Sequence, residues 1–299
     1  DRYLEWSPDG KLLTFMSNRD DYWNLYTVDP FGAAEETVRQ ITTAADSVLR
    51  GQFAWSPDGQ ELMYEAKKGE GSVLRILEVG TGAKRDLETG FGRSNNPAWS
   101  PDGEWIVFQG SAEEDNNLWI IPATGGSPRR LTQHPGTGAP DWSPDGKWIA
   151  FHSRRTGVRD LYITAVDGSK EIQLTDTPSY EVWPVWSPDG RRISFTWHIT
   201  MNQLSVVDLE EGETSTIGGD LDIIPGKGAA WSPAGDEVAV ARFGTQGSDL
   251  WRVKADGSEA RQLTRGGILD EGKTDVSWSP DGKTIAFVRK GKTARYWTV

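Results

Sequence analysis

The hexapeptide WSPDGK, at Trp142 to Lys147, recurs with small changes along a chain of 299 residues. Each copy begins with a tryptophan, and successive copies lie 43 to 49 residues apart. The seven tryptophans are Trp6, Trp55, Trp99, Trp142, Trp186, Trp231 and Trp278. A repeat of this length that covers the whole chain indicates one array of equal structural units.

The letters SPDG match a type I β-turn that is closed by a glycine. In the copy at 143–146, Pro144 fixes φ near about −65° and Gly146 can adopt the left-handed conformation that leads into the next strand. Asp145 can accept hydrogen bonds from the backbone of the turn. We expect Trp142, just before the turn, to bury its ring against the neighbouring unit.

One copy departs from this pattern. It reads WSPAG, so Ala234 stands where the other copies have aspartate, and Asp236 follows two residues later. We expect this turn to form with one hydrogen bond fewer, because alanine has no side-chain acceptor.

The segment from Pro140 to Thr175 shows what one unit contains. It has four short stretches with alternating apolar and polar residues, separated by turn residues, and no helical periodicity. Four-stranded units at this period are typical of β-propeller blades. We therefore predict an all-β fold: a single seven-bladed propeller of four-stranded antiparallel blades over residues 1–299. The predicted blades start near Leu4, Phe53, Pro97, Pro140, Pro184, Ala229 and Val276.

The repeat resembles a known family. The pattern WSPDGK-x-IAF-x-S, followed by a DLY segment and a QLT segment, is similar to the repeat of the TolB-like (PD40, WD40-like) β-propellers over essentially the whole chain. This resemblance implies a non-enzymatic scaffold that binds a protein or peptide, in the periplasm or another extracytoplasmic compartment. Similar repeats occur in polysaccharide lyases and in prolyl-oligopeptidase-type peptidases. Two alternatives therefore stay open: a carbohydrate-active or glycan-binding propeller, and the regulatory propeller of a larger peptidase.

The two ends of the chain are uneven. The last repeat offers strands only at 276–278, 284–288 and 295–299, so we expect the last blade to lack its outermost strand. The chain begins with Asp1-Arg2-Tyr3 and no signal peptide. We expect either a piece of a longer precursor or a three-stranded last blade, whose open edge could pair with another chain.

Composition and missing motifs exclude several classes of function. The net charge of −12 argues against nucleic acid as a partner, because phosphates are bound by clustered lysine and arginine. No apolar run approaches the roughly 18 residues of a membrane-spanning helix, so membrane insertion is not expected. The sequence has no cysteine, no Gly-X-Ser-X-Gly elbow and no P-loop. We therefore predict no catalytic residue within the chain.

Candidate ligand-binding residues cluster in the fourth and fifth repeats. The loops after each second strand and the loops between blades should share the face opposite the SPDG turns, and all three histidines of the chain fall there. Guanidinium groups and indole rings next to imidazoles could hold an acidic sugar, and imidazoles could bind a divalent metal. No closely spaced ligand motif supports a metal, so we expect no resident cofactor, with a divalent metal as the alternative. Surface or packing roles are the third interpretation. The predicted set is His134, His152, Arg154, Arg155, Glu181, Trp183, Trp197 and His198.

Overall fold

A computed structural model describes residues 2–32, 38–112, 115–198, 203–219, 229–244, 247–266, 275–288 and 295–298. Within these ranges the chain forms 27 strands and one 3₁₀ helix, Ala44–Asp46. Hydrogen bonds join the strands into seven antiparallel sheets, in each of which every strand pairs with the next strand along the chain. We number the sheets one to seven in chain order.

The strands have the following bounds. Sheets one to three contain β1 (Arg2–Trp6), β2 (Leu13–Ser17), β3 (Asn24–Val28), β4 (Arg39–Gln40), β5 (Val48–Trp55), β6 (Glu61–Lys68), β7 (Gly71–Glu78), β8 (Lys84–Leu87), β9 (Arg93–Trp99), β10 (Trp105–Ala112), β11 (Asp115–Pro122) and β12 (Arg129–Arg130). Sheets four and five contain β13 (Thr137–Trp142), β14 (Trp148–Ser153), β15 (Asp160–Ala165), β16 (Glu171–Gln173), β17 (Tyr180–Trp186), β18 (Arg192–His198), β19 (Leu204–Asp208) and β20 (Thr214–Ile217). Sheets six and seven contain β21 (Ala229–Trp231), β22 (Glu237–Gly244), β23 (Gly247–Lys254), β24 (Ala260–Gln262), β25 (Val276–Trp278), β26 (Thr284–Phe287) and β27 (Arg295–Thr298).

The strand pairing within the sheets agrees with the prediction of four-stranded antiparallel blades. Six of the sheets have four strands, and the sheet of β25, β26 and β27 has three among the described residues. The prediction of an all-β propeller with four-stranded antiparallel blades is confirmed. The apolar core is divided among the interfaces between neighbouring sheets; one cluster, for example, joins Val107 and Leu118 of sheet three to Trp142 and Phe151 of sheet four. No helix in the described part of the chain is long and apolar enough to cross a membrane.

Each SPDG turn is held by the hydrogen bonds expected from its letters. In sheet four, the Gly146 N–H donates to the Ser143 carbonyl at 2.9 Å. The Ser143 hydroxyl donates to Asp145 at 2.7 Å and accepts the Trp148 N–H at 2.9 Å. Asp145 also accepts the Lys147 N–H at 3.0 Å. A buried serine and an exposed aspartate therefore fix the entry into the second strand.

The copy with Ala234 keeps its turn. The Gly235 N–H still donates to the Ser232 carbonyl at 2.9 Å, and the Ser232 hydroxyl donates to Asp236 at 2.9 Å instead. The bond from a backbone N–H to the side chain of the third turn residue is lost, because alanine has no acceptor atom. This is the single missing bond that the sequence predicts.

The SPDG turns touch one another around one end of the molecule. A Cβ atom built on Gly146 would lie 3.8 Å from Cδ of Pro101 in the preceding sheet. The same contact relates the first turn to the last, because a Cβ on Gly10 would lie 3.5 Å from Cδ of Pro280. The turns thus form a closed ring, each glycine facing the turn before it. The other neighbours are Gly59 with Pro8, Gly103 with Pro57, Gly190 with Pro144, Gly235 with Asp189, and Gly282 with Pro233.

The tryptophan before each turn links one sheet to the sheet before it. The Trp142 indole donates from Nε1 to the Ala98 carbonyl at 3.1 Å, and Trp231 donates to the Val185 carbonyl at 3.2 Å. In both pairs the acceptor is the residue just before the motif tryptophan of the preceding sheet. Each interface therefore receives a large buried ring, and three of the motif tryptophans, Trp6, Trp142 and Trp231, add a directed hydrogen bond.

The first and last sheets are joined by the same contact. The Trp6 indole donates to the Ser277 carbonyl at 3.2 Å, and the Tyr3 N–H donates to Asp275 at 2.7 Å. Ala286 and Val288 of the last repeat pack into the apolar cluster of sheet one. Sheet seven therefore contacts sheet one as the other sheets contact their neighbours.

A threonine hydroxyl ends the outer strand of several sheets. The Leu118 N–H donates to the Thr132 hydroxyl at 3.0 Å, and the Leu161 N–H donates to Thr175 at 2.9 Å. Thr42 and Thr264 accept the equivalent N–H groups in sheets one and six. This bond explains the threonine of the QLT segment, since the hydroxyl extends the hydrogen-bond ladder by one step beyond the short outer strand.

The inner strands carry a bulge three residues before the motif tryptophan. Tyr3, Asn96, Ala139 and Trp183 each have a positive φ, between 47° and 57°, and the pairing register of their strands shifts at that point. A bulge of this kind bends the strand and changes the direction of the side chains that follow. It shapes the wall of the central channel near the end that faces away from the SPDG turns.

Two tryptophan substitutions test the indole bond between sheets. Trp142 and Trp186 are both 7% exposed, but only Trp142 donates to a carbonyl, whereas Nε1 of Trp186 has no partner in the described part of the protein. We expect Trp142→Phe to lower the free energy of unfolding by about 1 kcal/mol more than Trp186→Phe, the typical net value of a hydrogen bond. Urea titrations measure both values, and equal losses would contradict the proposed role of the bond.

Candidate functional site

The second-strand loops and the loops between sheets lie at one end of the ring, opposite the SPDG turns. We call this end the mouth. In sheet four, the Arg154 N–H donates to the Gly136 carbonyl at 3.3 Å, which joins the second-strand loop to the loop that enters the sheet. The Glu181 N–H donates to the Arg159 carbonyl at 2.8 Å, which joins the same loop to sheet five. The predicted site residues of the two repeats therefore share one end, as the strand order requires.

A channel of about 390 Å³ runs along the axis of the ring. Its wall is mostly apolar and small, including Ala98, Pro184 and Val185, and it contains the carboxylates Asp141 and Asp275 together with Glu5. Asp141 accepts the Trp186 N–H at 2.7 Å, and Asp275 accepts the Tyr3 N–H at 2.7 Å. These two carboxylates therefore hold one sheet to the next.

His152 lies at the mouth, next to other polar groups. A Cβ atom built on Gly138 would lie 3.1 Å from His152 Nε2 and 3.3 Å from Gln109 Oε1, so the glycine leaves room for both side chains. The Asn96 amide donates to Gln109 at 2.8 Å. The His152 ring is partly exposed, yet its Nδ1 atom is buried and has no partner among the described residues.

The His152 imidazole is neutral at physiological pH. Burial, together with the positive charges of Arg159 and Arg154, lowers the pKa of His152 from 6.5 to about 3. A neutral imidazole can donate one hydrogen bond and accept another. Its charged neighbours favour an anion at this position over a cation.

Arg154 and Arg159 flank His152 at the two ends of the second-strand loop of sheet four. Ser153 and Asp160 are the last paired residues of the hairpin. Arg154 directly follows Ser153, and Arg159 directly precedes Asp160. Arg154 is exposed and Arg159 is partly buried. Burial and the nearby charge of Arg154 lower the pKa of Arg159, which places the two guanidinium groups within electrostatic reach of each other.

Arg155 is held elsewhere. Its Nη1 donates to Glu171 on the outer strand, its Nε donates to the Ser153 hydroxyl at 3.2 Å, and its guanidinium lies 3.9 Å from the centre of the Tyr162 ring. An ion pair and a cation–π contact hold this side chain within the sheet, while its Nη2 is buried without a partner among the described residues. Arg155 therefore packs along sheet four and is not part of the group at the mouth.

Glu181 is completely buried. Its two carboxylate oxygens accept the hydroxyls of Thr175 and of Thr177, the latter at 2.8 Å, and burial raises the pKa of the carboxyl. Thr175 ends the outer strand of sheet four, so the hydrogen bonds to Glu181 stabilise the segment that connects sheets four and five. In sheets one, three and six, the equivalent threonine contacts an Asn or Asp of the third strand instead.

Among the other predicted residues, His134 and Trp183 make no hydrogen bond to His152 in the described part of the protein. His134 is exposed in the loop that enters sheet four, and Trp183 is partly exposed at the bulge of β17. Trp197 and His198 belong to β18, where they pair with Glu181 and Tyr180, but their side chains lie outside the described residues. Within the described members of the predicted set, no hydrogen bond connects two side chains. Within that set, the positive charge of Arg154 lowers the pKa of His152.

Three contributors were missed by reasoning from sequence: Asn96, Gln109 and Arg159. Asn96 and Gln109 belong to sheet three, and their position depends on the packing of two sheets and on a bulge that no sequence letter marks. Arg159 could have been found, because it closes the same short loop that Arg154 opens. Among the described residues, no cluster of three or more His, Asp or Glu side chains is arranged to hold a metal ion.

Comparison with known proteins identifies the repeat. The PD40 family, described as the TolB beta propeller domain, matches residues 38–221 and 161–297. The uncharacterized protein Atu1656 of Agrobacterium fabrum is 29% identical over 245 residues, which cover 78% of this chain and 64% of that protein. The chain thus spans less than two thirds of the length of this relative.

Solved structures share the fold. A protein described as TolB, from Agrobacterium tumefaciens, is 27% identical with a TM-score of 0.62, over 88% of this chain and 94% of that chain. An oligogalacturonate lyase in complex with manganese is 17% identical with a TM-score of 0.73, over 99% and 88% of the two chains. A puromycin hydrolase is 17% identical with a TM-score of 0.76, over 99% of this chain and 53% of that chain. The last two likenesses show the fold alone. A manganese site does not fit the surroundings of His152, whose charged neighbours are two arginines.

The lowered pKa of His152 predicts a pH dependence of stability. Between about pH 3 and pH 6.5 the unfolded chain binds a proton at this histidine and the folded chain does not, so stability falls as the pH falls through this window. Replacing His152 by Gln should remove up to about 1.4 kcal/mol per pH unit from the slope of unfolding free energy against pH. The control variant is His134→Gln, because His134 is exposed. Urea titrations from pH 4 to 8 measure the free energy of unfolding of both variants. An unchanged slope in His152→Gln would show that the imidazole is protonated in the folded state.

Proposed function

The chain belongs to the TolB β-propeller family, and on that basis we propose that it is a non-enzymatic scaffold that binds a protein or peptide at the mouth. The observation that carries this proposal is the use of the channel carboxylates. Asp141 and Asp275 are engaged by backbone N–H groups of the next sheet, so they support the ring rather than serve as an acid–base pair. The inner strands thus enclose a largely apolar channel, and polar side chains lie at the mouth; apolar walls with a few polar groups are common in binding sites.

We include the architecture and the cellular location in this proposal. The three-stranded sheet seven acts as the seventh blade of the ring, supported by its contacts with sheet one, and residues 1–299 form one domain. The family resemblance supports an extracytoplasmic, periplasmic location. The alternatives of a glycan-binding propeller and of a regulatory propeller of a peptidase rest on likeness of fold, and no described group of residues favours catalysis.

A partly exposed tryptophan at each end of the ring allows a matched test. Peptides selected from a random library on the immobilised protein should lose at least tenfold in affinity on Trp183→Ala, because an accessible indole at the mouth is a typical anchor for a peptide. Trp148→Ala removes an indole next to the SPDG turns and should change affinity less than twofold. Fluorescence anisotropy measures the affinities, and thermal unfolding confirms that both variants fold.

Two results would contradict the proposal. The first is peptide binding that depends on Trp148 and not on Trp183, which would place the binding surface at the opposite end. The second is a failure to select any peptide that binds more tightly than millimolar.

A further inference from the structure

Three arginines in the second-strand loop of sheet four have different surroundings. Arg155 is paired with Glu171 and lies on Tyr162. Arg154 and Arg159 are not among the arginines that form ion pairs in the described part of the chain. Those arginines are Arg75, Arg85, Arg155, Arg191, Arg192 and Arg252. Two like charges next to each other without a counter-charge repel, so the folded chain bears a cost that an anion would remove.

Two of the polar atoms at this point are buried without a partner. Nε of Arg159 and Nδ1 of His152 have no hydrogen-bond partner among the described residues. Neither neighbouring carboxylate pairs with these arginines: Asp160 accepts the Thr156 hydroxyl through one oxygen while its other oxygen is buried without a partner among the described residues, and Glu181 accepts two threonine hydroxyls. Since buried polar groups in proteins are rarely unsatisfied, such atoms beside an arginine pair indicate where a ligand supplies the partner.

The charge of the whole protein limits the kind of anion. A net charge of −12 repels a polyanion as it approaches, whereas one carboxylate on a largely neutral ligand meets mainly the local arginine pair. Guanidinium groups bind a carboxylate through two parallel hydrogen bonds. Gly138 lets the polar side chains of His152 and Gln109 approach each other here, because a Cβ atom there would lie within 3.3 Å of both.

We propose that Arg154, Arg159 and His152 form a carboxylate-binding site at the mouth, which holds an acidic side chain of a bound peptide. The site rests on the proposed function, since it names the chemical group that a peptide ligand presents there. The arginines supply the charge, and the neutral imidazole supplies one further hydrogen bond. Gln109, held by Asn96, forms the wall on the side of sheet three.

Two blocked pentapeptides test the site: acetyl-Ala-Ala-Glu-Ala-Ala-amide and the same peptide with Gln in place of Glu. In NMR titrations of the ¹⁵N-labelled protein at constant ionic strength, we expect the Glu peptide to give saturable shifts at the arginine side chains and at His152. The Gln peptide should bind at least tenfold more weakly. The double variant Arg154→Gln/Arg159→Gln should lose at least tenfold in affinity for the Glu peptide.

The variant Arg191→Gln is the matched control, because Arg191 is an exposed arginine beside an SPDG turn, at the other end of the ring. It should bind the Glu peptide within twofold of the original protein. Equal binding of the Glu peptide by the double variant would overturn the site, and so would equal affinity for the Glu and Gln peptides. Digalacturonate that binds through the same two arginines, and more tightly than the Glu peptide, would overturn the assignment to a peptide.

The library-selected peptides separate this inference from the proposed function. Acidic peptides from that selection should lose affinity in the double variant. If selected peptides depend on Trp183 but bind the double variant unchanged, the carboxylate site is wrong and the scaffold proposal stands. If no selected peptide depends on Trp183, the scaffold proposal itself fails.

Discussion

The contact between each motif tryptophan and the preceding sheet is the interaction on which the structure depends. A single four-stranded sheet of this size cannot bury its own apolar faces, so its stability comes from the sheets on either side. The tryptophan supplies a buried ring at every interface, and in three of the seven copies its indole also donates to a backbone carbonyl of the preceding sheet. Because Trp6 makes the same bond to Ser277, the closing interface resembles the interfaces formed by Trp142 and Trp231.

The position of the candidate site follows from this ring. Once the SPDG turns lie together at one end, the second-strand loops must lie at the other, and the loop at 154–159 is one of them. The site then depends on local differences between repeats. Sheet four carries arginines at both ends of this loop, and Glu181 takes over the Thr175 hydroxyl that would otherwise contact the third strand. The repeated sheets thus share one backbone framework, and the side chains of sheet four at the mouth differ from those of the other sheets.

The sequence predicts the fold far better than the site. The SPDG letters correspond to particular hydrogen bonds, so even the loss of one bond at Ala234 can be anticipated. The direction of long polar side chains cannot be anticipated from the sequence. Arg154 and Arg155 are neighbours in sequence, but only Arg155 contacts a carboxylate and an aromatic ring within its own sheet. Glu181 was predicted to bind a ligand and is instead buried against two hydroxyls, because its strand begins at a sheet interface.

Closure of the ring between the first and last sheets is the central claim, and spin-label distances test it directly. The chain has no cysteine, so single cysteines can be introduced at Lys11, Glu104, Lys147 and Lys283, which are exposed and follow SPDG turns. Pulsed electron paramagnetic resonance measures the distance between two spin labels. We expect the labels at 11 and 283 to have the same short separation as those at 104 and 147, which lie on neighbouring sheets. The pair at 11 and 147, across the ring, should be clearly longer. A separation between 11 and 283 that exceeds the one between 11 and 147 would show an open array and contradict this account.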